Sequence, residues 1–294
     1  MLPMNRVSIA EQTEILAESL LRHGPALVLT GAGCSTASGI PDYRDRNGDW
    51  KHSRPVMFND FVRSEITRKR YWAGSMNGWP RIQAARPNPA HLALSLLENH
   101  GFIHTLLTQN VDGLHHGAGS RNVIELHGNL KSVICLQCGT RMSRSDIQAQ
   151  LLKSNAAFLQ AAVAAAPDGD ADPGVLDYAS FETPVCNRCA GILKPEVVFF
   201  GEAVPRARTE RSLQALASAG CLLTAGTSLM VFSGYRYCLE ARRRGIPVIA
   251  VNLGQTRADG ELDLKIHADC GRLLASVAAR LCPGAGRKRQ LYSA

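Results

Sequence analysis

No stretch of the chain stays apolar over the roughly 20 residues that a bilayer crossing requires, so a membrane partner is not expected. The opening residues Met-Leu-Pro-Met-Asn-Arg lack the apolar core of an export signal. They lack equally the Arg/Ser-rich amphipathic pattern of a transit peptide, and a cytoplasmic protein is the expectation. Nine cysteines are an odd number, which without an export signal argues against a disulfide framework. No internal repeat is present. What remains is a globular chain of 294 residues, 45% hydrophobic and 20% charged. That length suits one large domain with an elaboration, or two domains, around a well-buried core. The net charge of +8 predicts a basic face. Such a face suits acidic partners, among them nucleic acid, phosphorylated cofactors and acidic peptides, and equally a solvated surface with surplus arginine.

Ser8-Ile9-Ala10-Glu11 is a capping-box sequence that starts a helix ending at Gly24. The unbroken apolar run Ala26–Thr30 predicts a buried strand. It leads into Gly31-Ala32-Gly33-Cys34-Ser35, and strand, glycine turn and helix start together bring backbone N–H groups to phosphate oxygens. Thr36 stands where the usual dinucleotide fingerprint has its third glycine, so the glycines alone decide little. Pro41 prevents simple helix continuation and puts Asp42, Tyr43 and Arg44 on a loop above the strand end, where Arg44 suits an anion. Residues 46–85, with a helical patch at Phe58–Trp72, break the alternation and form an insertion or lid.

Order resumes with a helix at Ala90–Asn99 and a strand at Phe102–Leu107, followed by Gln109, Asn110, Val111 and Asp112. Val123–Leu126 delivers His127 onto a glycine turn. Further strands are expected at Val197–Phe200, Cys221–Ala225, Ile246–Val251 and Leu262–His267, with helices at Arg206–Ser218, Tyr235–Arg244 and Arg272–Leu281. This alternation predicts an α/β fold with a doubly wound, Rossmann-like parallel sheet. The turns at Gly31, Gln109, Gly226 and Asn252 then gather at one sheet edge, where ligands bind in such folds.

Cys135-x-x-Cys138 and Cys186-x-x-Cys189 have zinc-ribbon form, with 47 residues between the pairs where a ribbon commonly has about 15–20. Four thiolates fill zinc's coordination shell, so the ion is expected to be structural. The five other cysteines read as small buried hydrophobes. His115 and His116, adjacent and pointing apart, read as ordinary loop residues. The acidic tract from Pro167 to Gly174 reads as a loop, and Gly286-Arg287-Lys288-Arg289 as part of a basic tail.

Across residues 8–282 the chain resembles the sirtuins, the NAD-dependent protein deacylases. The resemblance is carried in order by Gly31–Ser35, Gly39–Arg44, Thr108–Asp112, His127-Gly128, the four cysteines, Phe199–Glu202, Gly226–Ser228 and Val251-Asn252. Tyr43, Asn129 and the segment Val231–Arg236 resemble the class II subgroup that includes mitochondrial sirtuin 4, in its bacterial type. The resemblance implies NAD across the strand ends. Its pyrophosphate would lie on Gly31, Ala32, Gly33 and Ser35 with Asp42, Tyr43 and Arg44, and its adenosine near Gly226, Thr227, Ser228, Asn252, Leu253, Gly254 and Cys270. Asn110 and Asp112 would hold the nicotinamide carboxamide, with Gln109 and Val111 also among the cofactor-binding residues. An amide plus a carboxylate can both donate to and accept from that carboxamide.

The implied reaction has the acyl-lysine oxygen attack the ribose carbon as nicotinamide leaves. His127 then acts as general base on the ribose hydroxyls, and lysine and 2′-O-acyl-ADP-ribose are released. His127, Asn110 and Asp112 are thus the expected catalytic residues. The substrate peptide would add as a strand against Val198, Phe199, Phe200, Gly201 and Glu202. Members that prefer succinyl-lysine carry a Tyr-x-x-Arg pair; Tyr71 is followed three residues later by Gly74, so that preference is not expected. The resemblance divides the chain into an NAD-binding domain (1–46, 86–132, 194–285), a small zinc-binding and helical domain (47–85, 133–193) and the basic tail 286–294. On the same site the alternatives are protein mono-ADP-ribosylation and lipoamidase-type deacylation. A zinc-ribbon nucleic-acid binder is the alternative from another class, and nucleic acid is not the expected partner. An oxidoreductase is disfavoured, because no acidic residue follows the glycines by about 20 positions to read the ribose.

Overall fold

The computed structural model describes residues 7–45, 47, 49–51, 55–159 and 178–284. The acidic loop 167–174 and the basic tail 286–294 lie outside them. The Ser8 cap forms as its sequence requires. Its hydroxyl accepts the Glu11 amide, the Glu11 carboxylate accepts the Ser8 amide (2.8 Å), and α1 runs Ile9–His23. Strand β1 (Ala26–Thr30) is buried along its whole length. The chain then makes two 3-10 turns, Ala32–Cys34 and Thr36–Ser38, where a regular helix start was expected. The close approach of Gly226 explains this. The Gly33 amide donates to the Gly226 carbonyl (2.9 Å), and a Cβ on Gly33 would sit 2.9 Å from that oxygen.

The expected helical patch is two helices, α2 (Phe58–Arg63) and α3 (Glu65–Ala84), separated by extended Ser64, whose hydroxyl caps the second. α3 continues past Trp72 because Trp72, Met76 and Trp79 are buried along it, even with Pro80 inside. The chain continues through α4 (Pro89–Asn99), β2 (Ile103–Thr108), α5 (Leu114–Gly117), β3 (Val123–Glu125), β4 (Gly128–Cys135), β5 (Arg141–Ser143) and α6 (Arg144–Ser154). It closes with β6 (Leu193–Val197), α7 (Arg206–Ala217), β7 (Cys221–Ala225), α8 (Phe232–Arg244), β8 (Val248–Val251), β9 (Leu264–Ile266) and α9 (Cys270–Leu281).

Six strands form one parallel sheet in the order β3-β2-β1-β7-β8-β9. One face packs on α1, α4 and α9 through residues such as Leu16, Leu94 and Leu273. The other packs on α7 and α8 through Leu216, Tyr237 and Cys238. The strand order reverses between β1 and β7, so a crevice opens at their carboxyl ends. No helix among the described residues is long and apolar enough to cross a membrane.

A second sheet, β5-β4-β6, is antiparallel and has its own core with Trp72, Met76, Val133 and Phe181. Here the expectation of a strand at Val197–Phe200 resuming the parallel sheet is corrected. The strand is Leu193–Val197 and pairs antiparallel with β4, from Gly128↔Val197 to Cys135↔Leu193. After Val197 the backbone bonds elsewhere. The Val198 amide donates to the His127 carbonyl (2.7 Å) and the Phe199 amide to the Glu202 carboxylate (2.8 Å), while Gly201 turns at φ 80°.

Gly128 hinges His127 onto this sheet at φ 85°, and a Cβ there would lie 2.1 Å from the Glu196 carbonyl oxygen. Backbone cannot yield as a flexible side chain would. Gly128→Ala is therefore expected to cost about 3 kcal/mol or more in chemical denaturation. A loss below about 0.5 kcal/mol would contradict the close approach.

Candidate active site and cysteine knuckle

The switch-point crevice holds a cavity of about 360 Å³, within the size range of small-molecule sites. Ala32 and Gly33 line it from the β1 turn, Asp42, Tyr43 and Arg44 from the following loop, and Gln109 and Asn110 from the end of β2. His127, Gly226, Thr227, Ser228, Asn252, Leu253, Gly254 and Cys270 complete the expected part of its wall. Gly31, Ser35, Val111 and Asp112 do not line it. Gly31 is pressed against Thr227, whose Cβ would be 2.6 Å from a Cβ at Gly31. Val111 lines a small neighbouring apolar cavity of about 40 Å³ with Tyr43, Tyr71, Val198 and Phe199.

Asp112 is buried one layer behind the wall, accepting the Ser35 hydroxyl (2.7 Å) and the Leu114 amide (2.8 Å). Asn110 Nδ2 donates to Ser35 Oγ and to the Gly31 carbonyl (both 3.0 Å). The glycine turn, the amide and the carboxylate are thus tied together through Ser35. Beneath them lies a pair of imidazoles that the sequence reading missed. His115, expected in an ordinary loop, sits in α5, is 2% exposed and lies with its Nε2 2.9 Å from Thr30 Oγ1. Its ring centroid lies 4.8 Å from that of buried His91, the two planes tilted by 59°. His116 is exposed, so the two neighbours do point apart.

The His127 ring is fixed at both nitrogens. The Gln109 carbonyl can only accept, so Nδ1 carries the hydrogen (3.0 Å). In the neutral ring Nε2 keeps its lone pair, and the Ser233 hydroxyl donates to it (2.8 Å). Burial pushes His127 down to about 4, against the hydrogen bond to Gln109 and with help from nearby Arg208. Burial also pushes His115 down to about 3, assisted by His91 and His116. Both rings are therefore neutral in the fold, while in the unfolded chain they take up protons near pH 6.5. Their neutrality costs nothing above pH 6.5 and opposes folding increasingly below it. Stability should fall between pH 6.5 and 4, by up to about 1.4 kcal/mol per pH unit for each ring. Denaturation at pH 7.5, 6 and 5 checks this, and His115→Gln should flatten part of the slope. An unchanged slope in that variant would contradict it.

Sequence reasoning also missed Trp50. The Arg44 guanidinium lies 4.0 Å over its ring, and Tyr43 and Phe200 pack edge-on to it at 6.2 and 5.7 Å. Asp42 pairs with Lys51 (2.6 Å). A second opening of about 560 Å³ runs between Val198–Glu202 and the start of α8 at Phe232, Ser233 and Arg236. His127, Phe200 and Val231 line both openings, so the imidazole stands where they meet.

The four knuckle cysteines converge, with all four sulfurs within 4.8 Å of one another. Cys135 and Cys189 sulfurs are 3.5 Å apart and those of Cys138 and Cys186 3.6 Å. Tetrahedral zinc with bonds of about 2.3 Å needs sulfur separations of about 3.8 Å, so the set fits. Gly191 lets the strands close, since a Cβ there would come 2.3 Å from Gln137 Oε1 and 3.0 Å from the Cys135 sulfur.

Comparison with known proteins adds to this geometry. The Sir2 family pattern matches residues 31–233. The chain is 51% identical over 272 residues to "NAD-dependent protein deacetylase 2" of Bradyrhizobium diazoefficiens, covering 92% of this chain and 99% of that one. It is 49% identical over 269 residues to "NAD-dependent protein deacetylase" of Xanthomonas campestris, covering 92% of each. Among solved structures, "Sir2-p53 peptide-NAD+" superposes with a TM-score of 0.72 at 31% identity, covering 93% of this chain and 98% of that one. "Sir2 bound to acetylated peptide" gives a TM-score of 0.71 at 30% identity, covering 94% and 98%.

Proposed function

We propose, on the premise that the chain belongs to the Sir2 family, that it is an NAD-dependent protein lysine deacylase that removes acetyl groups from lysine side chains. The observation that carries the reading is His127 at the junction of the two openings, with its Nε2 lone pair accepting the Ser233 hydroxyl from the wall of the second. A base that must reach both a nucleotide ribose and an acyl-lysine has to stand between them.

When bound, NAD supplies a ribose whose bond to nicotinamide can break and whose carbon can take the acyl oxygen. The chain's own residues do the rest. Ala32 offers its turn backbone to the pyrophosphate, Gly33 lets the turn close on Gly226 beside it, and Arg44 is a forked anion donor above it. Thr227, Ser228 and Asn252 offer hydrogen-bonding side chains to the adenosine end. Both Asn110 Nδ2 hydrogens are used by Ser35 and Gly31, which leaves Oδ1 to accept from a carboxamide. Asp112 is a positioning carboxylate in this arrangement, holding Ser35 and through it Asn110. His127 takes a proton from a ribose hydroxyl at Nε2, displacing the Ser233 hydroxyl, while Gln109 holds the other face of the ring. Val198–Glu202 line the second opening, along which an extended peptide would lie. The small apolar cavity beside Phe199 suits a short uncharged acyl end.

Zinc on Cys135, Cys138, Cys186 and Cys189 would be structural, because four thiolates leave no open position. The same reading treats residues 47–85 and 133–193 as a smaller unit, which its separate apolar core supports. A panel of acetyl-, succinyl- and longer acyl-lysine peptides with NAD tests the function by nicotinamide release. Acetyl should lead and succinyl should fall at least tenfold behind; no acyl-dependent release would end the deacylase reading. Protein mono-ADP-ribosylation on the same site would instead add mass to the protein.

A further inference from the structure

The charged residues that line the peptide opening are unevenly paired. Of the acidic residues that line it, Glu202 is held by Lys194 (2.9 Å) and the Phe199 amide, and Glu210 by Arg206 (2.6 Å). Both carboxylates thus have a basic partner. Arg236 also lines the opening and, among the described residues, makes no ion pair. Its guanidinium lies 5.6 Å from the ring of Phe232, which is 51% exposed. Arg257 approaches the same ring at 5.8 Å and is anchored to the Met230 carbonyl. Behind the opening, Arg208 bonds the Leu126 carbonyl, and its charge reaches both His127 and Lys194. The wall at the start of α8 is thus an exposed aromatic ring approached by two arginines, and among the described residues no carboxylate that lines the opening lacks a basic partner.

We propose that this wall selects acyl-lysine segments carrying an acidic side chain within two residues of the lysine, and that Arg236 reads it. The inference rests on the deacylase reading and names its substrate class. An extended peptide advances about 3.4 Å per residue, so two residues on either side stay within the reach of a long arginine side chain. Pairing at a partly exposed site contributes modestly to affinity but discriminates against the opposite charge, because a lysine there meets like charges. The preference should also weaken as salt screens it.

The test uses the full chain with acetyl-lysine peptides of otherwise uncharged sequence, Asp or Lys being placed at each of the two positions on either side. Nicotinamide release gives kcat/KM at low and high salt. At one or more positions Asp should exceed Lys by about fivefold at low salt, and the ratio should shrink at high salt. Arg236→Gln should bring that ratio close to one, and Arg236→Glu should invert it. Equal turnover of Asp and Lys peptides at all four positions would overturn the proposal, as would a ratio unaltered by both variants. Turnover of the uncharged peptide separates this failure from that of the deacylase reading, since a chain that turned over no peptide would overturn both.

Discussion

Replacing His127 by alanine should lower kcat/KM for deacylation by about 10²–10⁴-fold while the chain still folds and its zinc content matches that of the wild type. The size follows from what the ring does. Its Nδ1–H is committed to the Gln109 carbonyl, so Nε2 is the only nitrogen free to take a proton. Among the described residues no other imidazole lines the crevice. In the proposed reaction nicotinamide departs before that proton transfer, so exchange of labelled nicotinamide should suffer less than deacylation. The pH profile carries an independent signature. Burial holds the ring near 4 in the free protein, so the base is already neutral well below pH 7. kcat/KM of the wild type should therefore show no acid limb from this group between pH 8 and 5. An inflection near pH 6.5 that disappears in the variant would place the ring in a more solvated setting than described. Wild-type turnover by His127→Ala would refute the base assignment.

Cys186→Ser should have the largest effect on stability. A structural zinc contributes folding free energy directly, on the order of 10 kcal/mol in isolated fingers. Part of that is retained here by the apolar core around Val133, Leu193 and Phe181. A loss of about 3–4 kcal/mol, or roughly 10 °C in Tm, is expected together with loss of bound zinc. The damage should not stay local. Cys135 pairs with Leu193 at one end of β4–β6, and the other end carries His127-Gly128 and leads into Val198. Loosening the knuckle should thus raise KM for the peptide more than it alters NAD binding. A variant with unchanged melting and metal content would contradict the zinc assignment.

The parallel sheet was legible because its strands are fully buried, and full burial writes unbroken apolar runs such as Ala26–Thr30 and Cys221–Ala225. The smaller sheet was not legible. β6 contains Lys194, Pro195 and Glu196, a run with no strand pattern, and the more apolar Val197–Phe200 next to it drew the assignment instead. Lys194 is buried there only because Glu202 and two aromatic faces surround it, a fact of tertiary contact. The lining residues Gly33, Asn110, His127 and Ser228 could be read from their positions after strands. Asp112 could be read as part of the site but not as buried behind it, since that depends on Ser35 reaching it from β1's turn 77 positions away. Trp50 lay in a stretch without periodicity, and nothing in the local pattern separated it from an ordinary loop aromatic. His91 and His115 were hidden for a related reason. A buried imidazole whose partners, Thr30 for His115 and Ser35 for His91, come from another part of the chain has no short-range signature.

The central claim is that the two openings meeting at His127 serve one reaction between a dinucleotide and an acyl-lysine. The most direct measurement is mass spectrometry of the products formed from an acetyl-lysine peptide and NAD by the whole protein. The account predicts free lysine peptide, nicotinamide and an acetyl group carried on ADP-ribose, in equal amounts. Free acetate formed without consumption of NAD, or ADP-ribose found on the protein with the peptide still acetylated, would contradict it.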